Sequence, residues 1–375
     1  MSTDQRIKTL TSGLEEVLTP SDLTHVMELN IPLHHYIGFE ISGTPHIGSV
    51  IKTMHHIRNF QEAKVDCEIF LADWHTWIND KLGGDKEVIQ SIARGYFTDC
   101  FMAGALIMNT DVSKIKWVLG SELYHEQDGY WETVIDVAKH TSLARMQRSV
   151  TILGRQEGEN LDFAKLIYPA MQVADVYFQR VTLAHAGMDQ RKAHVVMREV
   201  AKKLQYHPLT HNGETLTPIA LHHHLVMGLQ KPPMWPIPKD KIGEMRSALK
   251  MSKSVQGSAV FLDDSPEEIK KKMNAAFCVE KNIEYNPVLN WAEHIVFPFI
   301  KEMKIERPAK FGGNVSYSDY ATLSNDFAKG DLHPMDLKAG MTASLSEVLF
   351  PARKYLSKDK VQQHKKEFER LKLTR

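Results

Sequence analysis

The strongest constraint on this chain's fold is an alternation that begins near Ile31. Short apolar or β-branched runs, HYIGFEI, CEIFLADW and IKWVLGS, are separated by longer segments of helical period. Strands that alternate with amphipathic helices are the sequence sign of a parallel sheet wrapped by helices. After His46, apolar residues fall at Ile47, Val50, Ile51, Met54, Ile57 and Phe60, which line one helical face. A strand, a Gly-containing turn and a helix therefore follow one another between residues 36 and 62. Residues 230–258, rich in Pro, Lys, Ser and Gly, read as a long loop, and long loops inside compact proteins are usually functional or disordered. Beyond it, Ser265 as N-cap, Pro266 at the first helical position and Glu267 and Glu268 in the first turn mark a helix start. From there the chain reads mainly helical, interrupted by RPAKFGG (Arg307 to Gly313). The expected architecture is an α/β domain with a parallel sheet over residues 1–265 and a mainly helical domain over 266–375.

Composition narrows the function classes. At 375 residues, 43% hydrophobic and 25% charged, the chain is long enough for two domains with cores. No segment approaches the roughly 18 apolar residues of a membrane span. Residues 1–12 carry Asp4, Arg6 and Lys8 without an apolar run, so they read as neither a secretory nor a transit signal, and a cytoplasmic location is expected. Cys67, Cys100 and Cys278 have no CxxC spacing and read as buried thiols. Lys+Arg and Asp+Glu are 46 each, so a nucleic-acid partner would have to use local patches. The tail beyond Arg353 is one such basic patch, with a solvated helix end as the other reading. There is no internal repeat.

Two short stretches carry chemistry. The first, Gly43-Thr44-Pro45-His46-Ile47-Gly48-Ser49, sits between that strand and helix, where free N–H groups and the dipole suit phosphate. Taken alone, such a motif is far more often a structural turn. The second is Lys250-Met251-Ser252-Lys253-Ser254, in the long loop, where two ammonium groups three residues apart can clamp the charge that builds on a triphosphate under attack. A solvated Lys/Ser loop is its bland alternative. Taken together, H-I-G followed by KMSKS resembles the paired motif of class I aminoacyl-tRNA synthetases. The resemblance implies a Rossmann-type catalytic domain, ATP binding at Gly43, His46, Gly48, Ser49, Met251, Ser252, Lys253 and Ser254, and catalysis by His46, Lys250 and Lys253. Ser49 stands where the motif has a second His and does not inherit that residue's role.

The amino acid is indicated by Tyr36 to Gly43 (YIGFEISG), Leu166 to Asp175 (LIYPAMQVAD) and Ala186 to His194 (AGMDQRKAH). Tyr168, Gln172 and Asp175 share a helical face, and Tyr36, Gly38 and Glu40 share a strand face. Phenols, carboxylates and an amide turned into one cavity need partners, which a polar ligand would supply. These stretches are similar to the tyrosine pocket of tyrosyl-tRNA synthetases of the archaeal and eukaryotic-cytosolic type. By that resemblance Tyr36 and Asp175 bind the substrate phenol, Tyr168, Gln172 and Gln190 hold the α-ammonium group, and Glu40 lies beside them. The implied activity is tyrosine–tRNA ligation, with tyrosine, ATP and tRNA(Tyr) as substrates.

The resemblance spans roughly residues 30–355. It implies a connective insertion at about 110–160 carrying a homodimer contact, a KMSKS loop at about 240–258, and anticodon contacts by Phe311, His333 and Asp336, with helix capping as the competing reading of Asp336. Asp73 and His75 read as a strand end near the ligands or as core contacts. His222, His223 and His224 cannot all face one ion from a strand and read as a strand end near the adenine, so no metal site is expected beyond Mg²⁺ carried with ATP. Neither membrane nor DNA is expected as a partner. Three rivals remain: a tryptophanyl-tRNA synthetase, a catalytically silent RNA-binding relative and a small-molecule nucleotidylyltransferase.

Overall fold

The structure, a computed structural model, describes residues 1–154, 162–241, 245, 248–253 and 255–373. Six strands form one sheet, β1 (Leu14–Leu18), β2 (His34–Phe39), β3 (Asp66–Leu71), β4 (Ile115–Leu119), β5 (Leu183–Gly187) and β8 (Ile219–His223), in the order β1-β8-β5-β2-β3-β4. Between β5 and β8, β6 (Thr210–His211) and β7 (Glu214–Thr215) make a separate two-stranded turn. The five strands from β8 to β4 pair parallel, as the alternation predicts. β1 runs antiparallel along β8, so the sheet is mixed. This edge strand comes from the first 30 residues, outside the stretch that carries the resemblance. Its LEEVL sequence has no alternation to betray it, because an edge strand buries little.

From β2 the chain steps outward to β3 and β4, then returns to place β5 and β8 on the other side of β2. The reversal puts a crevice at the carboxyl ends of β2 and β5, where ligands sit in folds of this kind. β3 is buried from Cys67 to Leu71, Glu68 included. That carboxylate is tolerated because Lys116 Nζ lies 2.9 Å and His34 Nε2 3.5 Å away.

The predicted apolar face of the Ile47–Glu62 helix is wholly buried at all six positions. It crosses the Thr98–Met108 helix at Gly104, where a Cβ would stand 2.2 Å from Val50 Cγ1. Asp73 and His75, read as a strand end, instead open the short Asp73–Ile78 helix one residue beyond β3. Cys67 and Cys100 are buried and Cys278 is half-buried, all as free thiols, and burial pushes the Cys67 thiol up to about 12. Among the described residues no helix is long and apolar enough to cross a membrane.

After Asp264 the Pro266–Ala275 helix starts with a reciprocal capping box between Ser265 and Glu268. The region that follows is helical except for a hairpin, β9 (Met303–Ile305) with β10 (Val315–Tyr317), whose loop is RPAKFGG. Three-residue strands leave too little periodicity to read. The basic tail is a helix end packed on one side, with Lys354, Lys358, Lys360, Lys366 and Arg370 exposed on the other. The Asp359–Leu373 helix folds back on the first part of the chain, with Lys365 on Asp263 (2.8 Å), His364 on Asp99 (2.7 Å) and Glu367 accepting from Ser91 (2.7 Å).

Gly104→Ala raises helix propensity yet forces a methyl into the stiff, buried Val50 side chain. It should lower the unfolding free energy by roughly 1–3 kcal/mol in a urea titration. An unchanged or raised midpoint would show that the two helices can separate freely.

Candidate active site

The crevice at the β2–β5 switch is a cleft of about 520 Å³. Behind the Tyr36 and His75 wall of the cleft lies Asp175, which the Phe163–Phe178 helix presents with no exposure to solvent. Oδ1 accepts from Tyr124 (2.8 Å) and Tyr130 (3.0 Å), and Oδ2 accepts from Tyr36 (3.3 Å). Once ionised, a carboxylate has about four acceptor positions, so three phenols leave one, on the oxygen beside Tyr36. Burial pushes the Asp175 carboxyl up to about 7, against the opposing pull of Tyr124, Tyr130 and Tyr36. His75 Nε2 stands 3.7 Å from Oδ2, and neither ring nitrogen of His75 has a hydrogen-bond partner. Burial holds that imidazole neutral, down to about 3. Gly38 is needed here for closeness: a Cβ would meet the Tyr36 hydroxyl at 2.6 Å.

One helical turn towards the rim of the cleft the groups are hydrogen-bond acceptors. Tyr168 donates to Glu40 (2.8 Å), which lies just past the end of β2 and also accepts from Asn79 (2.9 Å). Asn79 in turn donates to the Leu153 carbonyl (3.1 Å). Gln172 Nε2 donates to Gln190 (3.3 Å), whose own amide donates to the Ile152 carbonyl (3.1 Å). These bonds fix both amides so that Gln172 Oε1, buried and without a partner, is left as an acceptor. Burial raises the Glu40 carboxyl.

The nucleotide end is assembled from both motifs. His46 is the N-cap of the Ile47–Glu62 helix, its Nδ1 accepting from the Ser49 amide (3.2 Å), which leaves the ring proton on Nε2. Burial, then Lys253 and Lys250, holds this imidazole down at about 3, so it is a neutral donor. Val260 and His46 take the Ile47, Ser49 and Val50 amides, which leaves that of Gly48 without a protein partner among the described residues. The KMSKS loop is pinned to the segment that follows β8 by Gly228 N to Leu249 O (2.8 Å) and Met251 N to Val226 O (2.7 Å). Lys253 Nζ then donates to Ser42 (2.7 Å), under Gly43 with its φ of 124°, and Lys250 pairs with Asp189 (2.8 Å). Met251 Sδ closes on Gly48, and the Ser252 amide donates to Ser258 Oγ. Ser254 lies outside the described residues.

Sequence reasoning missed Tyr124, Tyr130 and Asn79, which hold the carboxylates, and Glu16 of β1. Glu16 accepts from His222 (2.7 Å), which in turn contacts His194 (2.9 Å). The adjacent imidazoles diverge, His223 towards His185 (2.9 Å) and His224 towards Glu15 (3.1 Å) and Asn290 (2.9 Å). His223 and His224 line the cleft. Asp73 does not: it accepts from the Ser121 amide (2.9 Å) and Gln90 (3.2 Å), holding the Gly120–Tyr124 helix that carries Tyr124.

Far along the chain, Arg307 ties the RPAKFGG loop to the turn before the Pro334–Val348 helix, donating to Gly313 O (2.6 Å) and Asp331 O (2.9 Å). Phe311 and His333 are exposed and Asp336 is half-buried. The capping side chain there is His333, whose Nδ1 accepts from the Met335 amide (3.2 Å), so Asp336 is not the cap.

The sequence model described as "tRNA synthetases class I (W and Y)" matches residues 28–350. The chain is 54% identical over 361 residues to the tyrosine–tRNA ligase of Pyrococcus abyssi, covering 96% of each chain. It is 55% identical over 346 residues to that of Thermococcus kodakarensis, covering 92% of each. The crystal structure of tyrosyl-tRNA synthetase complexed with L-tyrosine from Pyrococcus horikoshii superposes with a TM-score of 0.93 at 49% identity, covering 100% of both chains.

The raised Asp175 carboxyl has a signed consequence. The folded chain keeps the proton up to about pH 7, whereas the unfolded chain releases it near pH 4. Between those values the folded state binds more protons, so this group's contribution to stability falls as pH rises and levels off above 7. Asp175→Asn, which cannot ionise, should gain on the wild type by on the order of a few kcal/mol between pH 5 and pH 8. Thermal unfolding of both at the two pH values checks it; a constant difference would place the carboxyl in an ordinary environment.

Proposed function

The chain belongs to the class I tRNA synthetases of the W and Y family, and from that premise we propose that it is a tyrosine–tRNA ligase. It activates tyrosine with ATP and transfers it to the 3′ end of tRNA(Tyr). The observation that carries the choice of amino acid is the one acceptor position left on the buried Asp175, beside the Tyr36 hydroxyl. A phenol fills it. An indole N–H sits at a different place on a wider ring, and phenylalanine would leave a buried acceptor unsatisfied. Pyrophosphate exchange run with each of the twenty amino acids tests it: tyrosine alone should support turnover, and equal exchange with tryptophan would refute the assignment.

In this reading the substrate's ammonium group meets Gln172 Oε1, Tyr168 and Gln190, with Glu40 behind them. Its carboxylate then faces the turn at residue 46 and attacks the α-phosphorus of ATP. The bond from phosphorus to pyrophosphate breaks as the new one forms, and negative charge moves onto the phosphate oxygens. Lys250, Lys253, the His46 Nε2–H and the Gly48 amide are donors for that charge. Met251, Ser252 and Ser254 complete the nucleotide loop, and no covalent enzyme intermediate is needed. Mg²⁺ enters on the ATP phosphates, whose oxygens suit a hard cation. Transfer follows when the terminal ribose hydroxyl of tRNA attacks the adenylate carbonyl and AMP leaves.

The same reading divides the chain into a catalytic domain over 1–265 and an anticodon-binding domain over 266–375. Phe311 would stack on a base, with His333 and Asp336 at the first anticodon base, as splayed RNA is commonly read. Exposed Ile135, Leu143 and Tyr206 on and beside the 110–160 insertion support a homodimer contact there; its residues 155–160 lie outside the described set. A cytoplasmic location accords with these partners.

Lys253→Ala should lower kcat for tyrosine activation by roughly 10²-fold while changing the dissociation constant of tyrosine little. Single-turnover kinetics with equilibrium dialysis separates the two. Weakened tyrosine binding at unchanged turnover would contradict the role.

A further inference from the structure

Three imidazoles form a continuous hydrogen-bonded row across β2, β5 and β8. His35 Nε2 and His185 Nδ1 are 3.1 Å apart, and His185 Nε2 and His223 Nδ1 are 2.9 Å apart. The rings are buried, and burial holds all three neutral, His35 and His223 at about 3 and His185 well below the ordinary range. One end of the row, His35 Nδ1, has no hydrogen-bond partner, and its ring lies against Phe60. The other end, His223 Nε2, reaches the cleft beside Gly187, where a Cβ would come within 3.4 Å of it.

A neutral imidazole carries one N–H, so two shared bonds permit only two proton arrangements. If His185 is protonated on Nδ1, His35 must hold an N–H on its orphaned, buried Nδ1, and His223 shows the cleft a bare nitrogen. If His185 is protonated on Nε2, all three rings take the Nε2–H form that free imidazole side chains favour, and His223 shows the cleft an N–H. Buried N–H groups without an acceptor are the rarer defect in folded proteins, so the second arrangement prevails. Each bond in such a row also polarises the next.

We propose that this row fixes His223 as a donor that holds an acceptor ring nitrogen of the ATP purine, with His185 and His35 as positioning residues. The proposal rests on the ligase reading and adds a base contact to it. Lys250, Lys253 and His46 line the same cleft, and Asp189, paired with Lys250, lies near His223 across Gly187, so the nearby charges are already matched, while the His223 donor is uncharged and suits an uncharged acceptor. His56, stacked on His223 with centroids 5.9 Å apart, walls it in.

The test is ¹⁵N NMR of the histidine-labelled full chain, with His223 assigned through His223→Phe. The proton should sit on His223 Nε2, and Mg·ATP should move that signal where tyrosine does not. In pyrophosphate exchange, His223→Phe should raise KM for ATP about fivefold, with a smaller change in kcat and an unchanged tyrosine dissociation constant, and His223→Gln should recover most of the loss. His185→Phe should raise the same KM and release the tautomer at His223. One of the 1-, 3- or 7-deaza analogues of ATP should lose about fivefold in the wild type and nothing in His223→Phe. A proton on His223 Nδ1, an unaltered KM in His223→Phe, or a loss that follows removal of a ribose hydroxyl instead would each overturn the proposal. Should the wild type show no tyrosine-dependent exchange, the ligase reading fails separately, and the NMR response to ATP still decides this one.

Discussion

The arrangement depends on the complete burial of one carboxylate. Asp175 has no solvent to share its charge, so the fold must supply donors, and it does so from three directions: Tyr36 on β2 and Tyr124 and Tyr130 from the region after β4. That demand places the Gly120–Tyr124 helix, which Asp73 anchors by its first turn, and requires Gly38 to be bare so that the Tyr36 hydroxyl can lie over it. Because three donors leave one acceptor position, the same constraint that shapes the fold would, on the proposed reading, also make the site selective. A structure that satisfied Asp175 fully would be more stable and would recognise nothing.

The second constraint is the opposite one, a concentration of cations and donors. Lys250 and Lys253 are drawn to the residue-46 turn by Asp189 and Ser42, and the loop carrying them is stitched at both ends to the segment after β8. That segment is held in turn by the helical region, through the Trp291 indole on Met227 O (2.6 Å) and Asn290 on the Met227 amide (2.9 Å). The clamp is thus coupled physically to the part of the chain that bears Phe311 and His333. Burial, reinforced by Lys253 and Lys250, keeps His46 unprotonated, and a phosphate ligand would relieve the crowding of these two cations.

Much of this was legible in the sequence. Six apolar positions at helical spacing after His46 gave a buried helix face, and Ser265-Pro266 gave a helix start, because both signals are local. Tyr36, Tyr168, Gln172 and Asp175 could be grouped because strand and helix periods put them on inward faces. Tyr124 and Asn79 could not, since they lie in or beside helices too short to carry a period, and the period of the Asp128–Lys139 helix marks Tyr130 as buried without showing what it faces. The edge strand Leu14–Leu18 and its Glu16 were invisible for a similar reason: half-buried strands beside a sheet are specified by their partner. Asp73 was placed on a strand end because the apolar run before it does not stop where the hydrogen bonding does.

The central claim is that the buried carboxylate reads a phenolic hydroxyl at the closed end of the cleft. Its most direct test is a crystal structure of the chain with L-tyrosine bound. The account predicts the substrate's hydroxyl oxygen within hydrogen-bond distance of Asp175 Oδ2 and Tyr36 Oη, with the ammonium group at Gln172 Oε1. A ligand turned end for end, its hydroxyl towards His46 and Lys253, or seated outside the cleft, would contradict it.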